Sequence, residues 1–262
     1  MSRTAFLILF MMLWASRGSQ AFEVPKPDAL LIADRVFKNE CNVEKNCLIE
    51  WGSGEDFLSL GLEHFIWYPQ NAPNIFNEGF RSYLQYARKA GVRLPVWLDK
   101  TPFPPCPWAT KEEFLNSKAS PQYNELMDFM LKTKDCQAEY LIDHTKRSLR
   151  QIISFASKDQ RPRIRKYLDQ LSSSPQGLYA IIDYLDFKGA GIGHTEEFKG
   201  QGWGLLQVLE GMSDMPTPQS ALKEFVSSAR TVLMHRVFYA PNDRHEDRWL
   251  QGWLRRVDTY LT

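Results

Sequence analysis

The sequence predicts a mainly helical fold with a small β-sheet placed after the first helix. Apolar residues recur at helical spacing over residues 27–40 and again in most segments beyond residue 75. Residues 48–68 differ, because they combine β-forming residues and alternation with a turn at Gly52-Ser53-Gly54. With no internal repeat in the sequence, this order of elements favours one α+β domain.

The helix boundaries follow from local signals. Pro27 suits the first turn of the first helix, and Gly91 is a C-cap for a helix over residues 75–90. Thr110 and Glu113 form a capping box that starts another helix. The Pro-rich stretch 101–108 is either a link within one domain or a hinge between two lobes. Helical periodicity predicts further helices over 121–132, 136–157, 160–171, 175–187, 205–212, 218–236 and 245–261.

The first 21 residues have the pattern of a cleavable export signal. Arg3 precedes a short apolar run over residues 5–15, and the small residues Ser19 and Ala21 follow at the positions that a signal peptidase reads. The apolar run is about half of the ~20 residues that a membrane span needs, so cleavage is favoured over anchoring. We expect residues 22–262 to form a single domain in the periplasm or outside the cell, with no membrane span of its own.

Charge and motif content exclude several classes of function. Removing Arg3 and Arg17 with the signal takes the 32 basic residues to 30 against 31 acidic ones, a formal charge of −1. Such a chain has no global attraction for nucleic acid. It also lacks zinc-ligand spacing, a P-loop and a nucleophile elbow, so we predict no metal and no cofactor, and we expect a monomer.

Four cysteines remain in the exported chain, namely Cys41, Cys47, Cys106 and Cys136. An even number in an oxidising compartment predicts two disulfides, for which three pairings are open. We favour Cys41 with Cys106 and Cys47 with Cys136. A nucleophilic cysteine is the other interpretation, which an oxidising compartment disfavours.

Glu40 is the most informative carboxylate of the sequence. It shares a helix face with Val36 and Phe37, and it lies at the C-terminal end of its helix, where the dipole disfavours negative charge. Partial burial and the dipole would both raise the pKa of this carboxyl above the ordinary value of about 4.3. A carboxylic acid kept neutral near pH 7 is what a glycosidase uses to protonate a leaving oxygen. The alternative is a helix-end glutamate in solvent, or one capped by a lysine.

The run from Ser59 to Phe65 (SLGLEHF) resembles the hairpin of phage-type lysozymes, in which a Thr-Ile-Gly-x-Gly-His-type run follows a catalytic glutamate on the preceding helix. The resemblance implies a lysozyme-like α+β fold, with Glu40 as general acid and Ser59 as the hydroxyl that faces it. It also implies a second carboxylate from the preceding turn, for which Glu55 and Asp56 are the candidates. The substrate-binding residues would include His64, although in that family the histidine mainly ties the sheet to the helix.

A second run, from Gly202 to Val208 (GWGLLQV), resembles the Gly-Leu-Met-Gln-Val segment of lytic transglycosylases. The resemblance implies that Trp203 and Gln207 belong to the wall of a cleft, with Gln207 donating to sugar or peptide. A helix start with glycines for close packing is the other interpretation. Trp67 and Tyr68 directly follow the hairpin run, so one of them is expected to stack on a sugar ring.

Further residues have an open interpretation. Trp249 and Trp253 have the i, i+4 spacing of a core or docking stripe on the last helix. The basic run over residues 161–166 is a solvated helix face or an attractor for an anionic polymer such as cell-wall material.

Together these features favour an exported glycan hydrolase that acts on peptidoglycan or a related amino-sugar polysaccharide. One strong acid, with a water positioned by Ser59 or by Glu55 or Asp56, fits an inverting route. The alternative is a non-catalytic binding or scaffold protein that is stapled by disulfides and keeps a lysozyme-like fold. Glu63 favours this alternative, because it stands where the lysozyme run has its second glycine. So does Ser53, which stands at the family's usual position for the second carboxylate.

Overall fold

A computed structural model of the protein describes residues 35, 48–73, 76–193, 196–213 and 217–262, without the side chains of residues 218 and 219. The predicted export signal, Glu40 and the first predicted helix apart from Arg35 lie outside these residues. Arg35 is helical, and its guanidinium carbon lies 4.9 Å from the centre of the Tyr179 ring.

The sheet predicted within residues 48–68 is confirmed. It has three short antiparallel strands in the order β1-β2-β3, with bounds Ile49–Glu50, Leu58–Leu60 and Phe65–Trp67. A seven-residue loop, 51–57, connects β1 to β2, and a four-residue turn, 61–64, within the lysozyme-like run connects β2 to β3.

The rest of the described chain is mainly helical, as predicted. The nine described helices are α1 (Gly79–Lys89), α2 (Lys111–Asn116), α3 (Pro121–Lys132), α4 (Lys134–Phe155), α5 (Arg161–Ser172), α6 (Pro175–Lys188), α7 (Leu205–Gly211), α8 (Pro218–Tyr239) and α9 (Asp247–Asp258). A hairpin of two-residue strands, β4 (Glu197–Phe198) and β5 (Gln201–Gly202), precedes α7 and was not predicted. In the described part of the chain, no helix combines the length and apolar character needed to cross a membrane.

Side-chain caps fix several helix starts. The Ser120 and Ser174 hydroxyls each accept a hydrogen bond of 3.1 Å from the backbone N–H of the third residue of the helix that follows. Proline is the first residue of both helices. Thr110 caps α2 as predicted, but the Glu113 carboxylate accepts from the N–H of Ala109 instead of that of Thr110. These local bonds explain why the sequence located these helices closely.

The core has two main clusters that meet on the long helix α4. One cluster lies between the sheet, α1, α3 and the start of α4, and it is rich in aromatic rings, such as Phe65 stacked on Tyr83 with centroids 4.8 Å apart. The other cluster is formed by the second part of α4 and the helices after it. Because α4 contributes side chains to both clusters, it couples the sheet to the C-terminal helices.

A buried ion pair joins α6 to the end of the chain. Asp183 is fully buried, and its carboxylate accepts hydrogen bonds from Nε and Nη2 of Arg256 at 2.9 and 3.0 Å. The Tyr260 hydroxyl donates to the same carboxylate at 2.6 Å. Both oxygens of Asp183 are therefore hydrogen-bonded within the protein, which offsets the cost of burying the charge.

The Pro-rich stretch 101–108 lies against the sheet. The N–H of Cys106 donates to the carbonyl of Tyr68 at 2.9 Å, and the Trp67 indole donates to the carbonyl of Pro104 at 3.1 Å. These bonds lay the stretch along β3, where it covers the sheet.

The cysteine pairs that we favoured are not formed in this structure. Cys106 and Cys136 are both buried free thiols, while Cys41 and Cys47 lie outside the described residues. Burial raises the pKa of the Cys106 thiol to about 12. The thiolate is the nucleophilic form, so Cys106 has little reactivity near neutral pH.

Candidate functional site

The turn of the lysozyme-like run is docked on α4. Gly61 has a φ of +71°, and a Cβ built on it would lie 2.5 Å from Oε1 of Gln137. The same Gln137 oxygen accepts a hydrogen bond of 3.1 Å from the N–H of Leu62. Gln137 in turn donates to the carbonyl of Met130 at 2.7 Å. Glycine is required at position 61 both for its backbone conformation and for this close approach.

Ser59, which is only 8% exposed, lies in the central strand between two residues that share its face of the sheet. The register pairs it with Glu50 on one side and with Ile66 on the other. Side chains of directly opposed residues lie about 4.5–5.5 Å apart at Cβ, so the exposed Glu50 is the strand carboxylate next to the Ser59 hydroxyl. Glu50 was not among the predicted site residues, because only the strand register brings it beside Ser59.

The two carboxylates predicted to support catalysis lie in the turn between β1 and β2. Glu55 accepts a hydrogen bond of 3.2 Å from the N–H of Gly52, and its carbonyl accepts from the Trp51 indole at 2.7 Å. Glu55 therefore closes this turn, and Asp56 beside it is exposed. Neither residue occupies the cross-strand position opposite Ser59, which is filled by Glu50.

Glu63 faces helix α4. Its side chain is only 7% exposed, and its Oε1 lies 3.8 Å from Nδ1 of His144. The neighbouring Tyr140 has its pKa raised to about 12, mainly by burial and further by the charge of Glu63. His64 completes the turn with a φ of +48°. Glu63, which stands where the lysozyme run has its second glycine, thus packs the turn against α4.

The aromatic residues expected to stack on sugar are core residues, which corrects that prediction. Trp67 has no exposed surface, and its ring packs on Phe80 with centroids 4.8 Å apart. Tyr68 and Trp203 are also buried. A buried ring has no free face for a ligand, and these side chains instead stabilise the sheet and the start of α7.

Gln207 caps its own helix. Its Oε1 accepts from the N–H of Gly204 at 3.0 Å, and its Nε2 donates to the carbonyl of Gly191 at 3.0 Å. The alternative interpretation of this run, a helix start with glycines for close packing, describes the geometry. The donors expected to bind sugar or peptide are used within the protein.

A pocket lies near the C-terminal end of the chain, among residues that were not predicted to bind a ligand. We call it the arginine–tryptophan pocket; it has a volume of about 350 Å³ and is lined by Arg236, Arg244, Glu246, Arg248, Trp249 and Trp253. Trp249 is 53% exposed, so of the two positions expected for this stripe, core or docking, it does not occupy the core one.

Two of the charged groups of the arginine–tryptophan pocket, Arg236 and Glu246, hold each other in place. Arg236 donates to both Glu246 oxygens, at 2.6 and 3.0 Å, and its guanidinium carbon lies 4.2 Å from the centre of the Trp203 ring. Arg244 contacts the same carboxylate at 3.2 Å. These arginines lower the pKa of Glu246 against the opposing effect of its burial, which is the largest single contribution. Glu246 therefore stays ionised.

A buried lysine lies behind the arginine–tryptophan pocket. Nζ of Lys188 is 3.4 Å from the centre of the Trp253 ring and 3.9 Å from that of Phe187. Burial, and next the charge of Arg236, lower the pKa of this lysine to about 6. Lys188 is therefore mostly neutral at pH 7. Its position near the end of an apolar helical run was the one sequence signal for a buried lysine.

Neither a metal-binding cluster nor a similar known protein indicates a function for this chain. In the ranges that the structure describes, no group of three or more His, Cys, Asp or Glu side chains is arranged to hold a metal ion. No family model, no curated protein and no solved structure matches this chain. Function is therefore proposed from the residues and their geometry alone.

Proposed function

We propose that the protein is an exported glycan hydrolase with a lysozyme-like fold, in which Glu40 is the general acid and the three-stranded sheet is one wall of the cleft. The observation that carries the proposal is the local structure of residues 59–65. The run that resembles the lysozyme hairpin forms a strand, a glycine-dependent turn and the next strand, within a chain that is otherwise mainly helical.

The face of the sheet that carries Ser59 is the proposed substrate side. Ser59 and Glu50 lie side by side on this face. In the sequence, Glu40 precedes Leu48, where the described part of this region begins, by eight positions. Glu40 would protonate the leaving glycosidic oxygen. Glu50 would act as the second carboxylate, with Ser59 orienting the attacking water.

The separation of the two carboxyl groups sets the stereochemical route. A distance of about 6.5–9.5 Å leaves room for a water and gives inversion, whereas about 5 Å allows a covalent intermediate and retention. Glu50 replaces Glu55 and Asp56 as our candidate for this role, because it is the carboxylate directly opposed to the serine hydroxyl.

A second candidate function is supported by a specific observation. Trp67 and Tyr68 are buried, so the sheet offers no aromatic platform at the positions where we expected one. This favours an exported binding or scaffold protein that keeps the lysozyme-like hairpin without cleaving glycan. The two candidates differ in one property, the release of soluble fragments from the polymer.

The experiment incubates residues 22–262 with purified cell-wall sacculi and follows turbidity and the release of new reducing ends. We expect clearing, and a loss of at least about 100-fold in rate for Glu50→Gln. Glu112→Gln, at an exposed position of α2, is the matched control and should keep the full rate. Co-sedimentation with sacculi but no released fragments would replace the hydrolase with the binding protein, and neither binding nor release would refute both.

A further inference from the structure

We propose that the arginine–tryptophan pocket is a binding site for a small organic anion that carries a carboxylate or phosphate group next to a flat ring. The pocket is remote in sequence from the lysozyme-like run, and the inference does not rest on the proposed function. It rests on the charges, the aromatic faces and the preformed geometry of the lining residues.

The charge of the lining favours an anion. Three arginines and one glutamate give the pocket a formal charge of +2. Glu246 accepts two hydrogen bonds from Arg236 and one ionic contact from Arg244, so its charge is already compensated. The Arg248 guanidinium has no carboxylate partner among the described residues, and it lies 5.0 Å from the Trp249 ring centre. Arginine forks of this kind suit the paired oxygens of carboxylates and phosphates.

The pocket also has the features of a preformed site. Arg236 is fixed by Glu246 from one side and by the rings of Trp203 and Trp253 from the others, so little side-chain entropy is lost when an anion binds. Trp249 presents a half-exposed ring at the rim, where a flat ligand group can stack. A volume of about 350 Å³ accommodates a ring together with an oxyanion, at the lower end of the range of ligand pockets.

The acid–base groups around the pocket give its binding a pH dependence. Lys188 lies behind Trp253 and next to Arg236, and Arg256 and Glu246 are the other charged groups that act on it. Protonation of Lys188 adds a positive charge behind the site, so anion affinity should rise as the pH falls below about 6.

The experiment titrates protein labelled with ¹⁵N-tryptophan at constant ionic strength with phenyl phosphate, phenylacetate, inorganic phosphate and benzyl alcohol. Constant ionic strength separates specific binding from screening. We expect the two ring-bearing anions to shift the indole signals of Trp249 and Trp253 with a Kd of about 1 mM or tighter, and the bare ion and the neutral ring to bind at least about ten-fold more weakly. The stronger of the two ring-bearing anions identifies the preferred oxyanion.

Two variants test the assignment to this pocket. Arg248→Gln should weaken binding of the ring-bearing anions by about ten-fold or more, because it removes a charge-assisted donor at an exposed position that the fold does not need. Arg150→Gln, an equal change of charge on the exposed face of α4, should leave affinity unchanged. Absence of indole shifts up to saturating ligand, equal binding of the neutral ring, or equal losses in both variants would overturn the proposal.

Discussion

Replacement of Lys188 by methionine should stabilise the protein at pH 7. Methionine fills similar space, and it removes an amine that is protonated in the unfolded chain but mostly neutral in the folded one, where burial lowers its pKa from 10.5 to about 6. Discharging the amine at pH 7 costs about 1.4 kcal/mol for each of the three to four pH units below 10.5, or about 5 kcal/mol. Because the amine is mostly neutral at pH 7, the contacts that its charged form would make with the Trp253 and Phe187 rings offset none of this cost. We expect a net gain of about 5 kcal/mol.

The stability gained by Lys188→Met should decrease as the pH rises. Between about pH 6 and pH 10 the unfolded state holds one more proton at Lys188 than the folded state, so wild-type stability rises with pH in this window. The advantage of Lys188→Met should therefore shrink by about 1.4 kcal/mol per pH unit from pH 7 to pH 9, and it should be level below about pH 6.

Urea denaturation at pH 5.5, 7 and 9 measures this difference. Lys223→Met, at an exposed position of α8, is the control and should change the unfolding free energy by no more than about 0.5 kcal/mol. A Lys188→Met protein no more stable than wild type at pH 7, or an advantage that is the same at pH 7 and pH 9, would refute this account of the buried amine.

Two further substitutions test the packing that supports the proposed sites. Asp183→Asn should cost about 3–5 kcal/mol in urea denaturation, because it leaves the partly buried Arg256 without its charge partner. Asp258→Asn, at an exposed ion pair, should cost at most about 1 kcal/mol, and equal effects of the two substitutions would contradict the argument. Gly61→Ala should cost at least about 2 kcal/mol more stability than Gly91→Ala. Both glycines have positive φ, but only Gly61 has neighbours within 4 Å of an added Cβ. Equal melting temperatures of the two variants would show that the hairpin turn does not depend on this contact.

The sequence located most of the helices and the sheet because their signals are local. Ser120 and Ser174 precede prolines and cap the helices that follow, and a cap of this kind is readable from a few neighbouring residues. The helix expected from residue 75 begins only at Gly79, because Glu78 bonds to the N–H of Tyr68 and so belongs to the sheet side of the boundary. That contact joins residues ten positions apart, so the residues next to Glu78 in the sequence do not indicate it.

The candidate sites were harder to predict because burial depends on contacts distant in sequence. Trp67 alternates as a strand residue should, but the Pro-rich stretch covers the face that we expected to be open, with Pro104 accepting its indole hydrogen bond. The arginine–tryptophan pocket joins residues from α8 and α9, and Lys188 from α6 lies behind it. Periodicity gives the face of each helix but not the partner that it meets, so this pocket was missed.

The central claim is that Glu40 is the acid of a glycan hydrolase, and Glu40→Gln tests it most directly. The substitution removes the charge but keeps the shape and a hydrogen-bonding group, so the fold should be equally stable or slightly more stable near neutral pH. We predict that residues 22–262 release reducing ends from purified sacculi and that the Glu40→Gln protein releases none, while Glu44→Gln in the same segment retains the wild-type rate. Near-wild-type release by the Glu40→Gln protein would contradict the claim, and a sharp loss of stability would mark Glu40 as half of a structural ion pair.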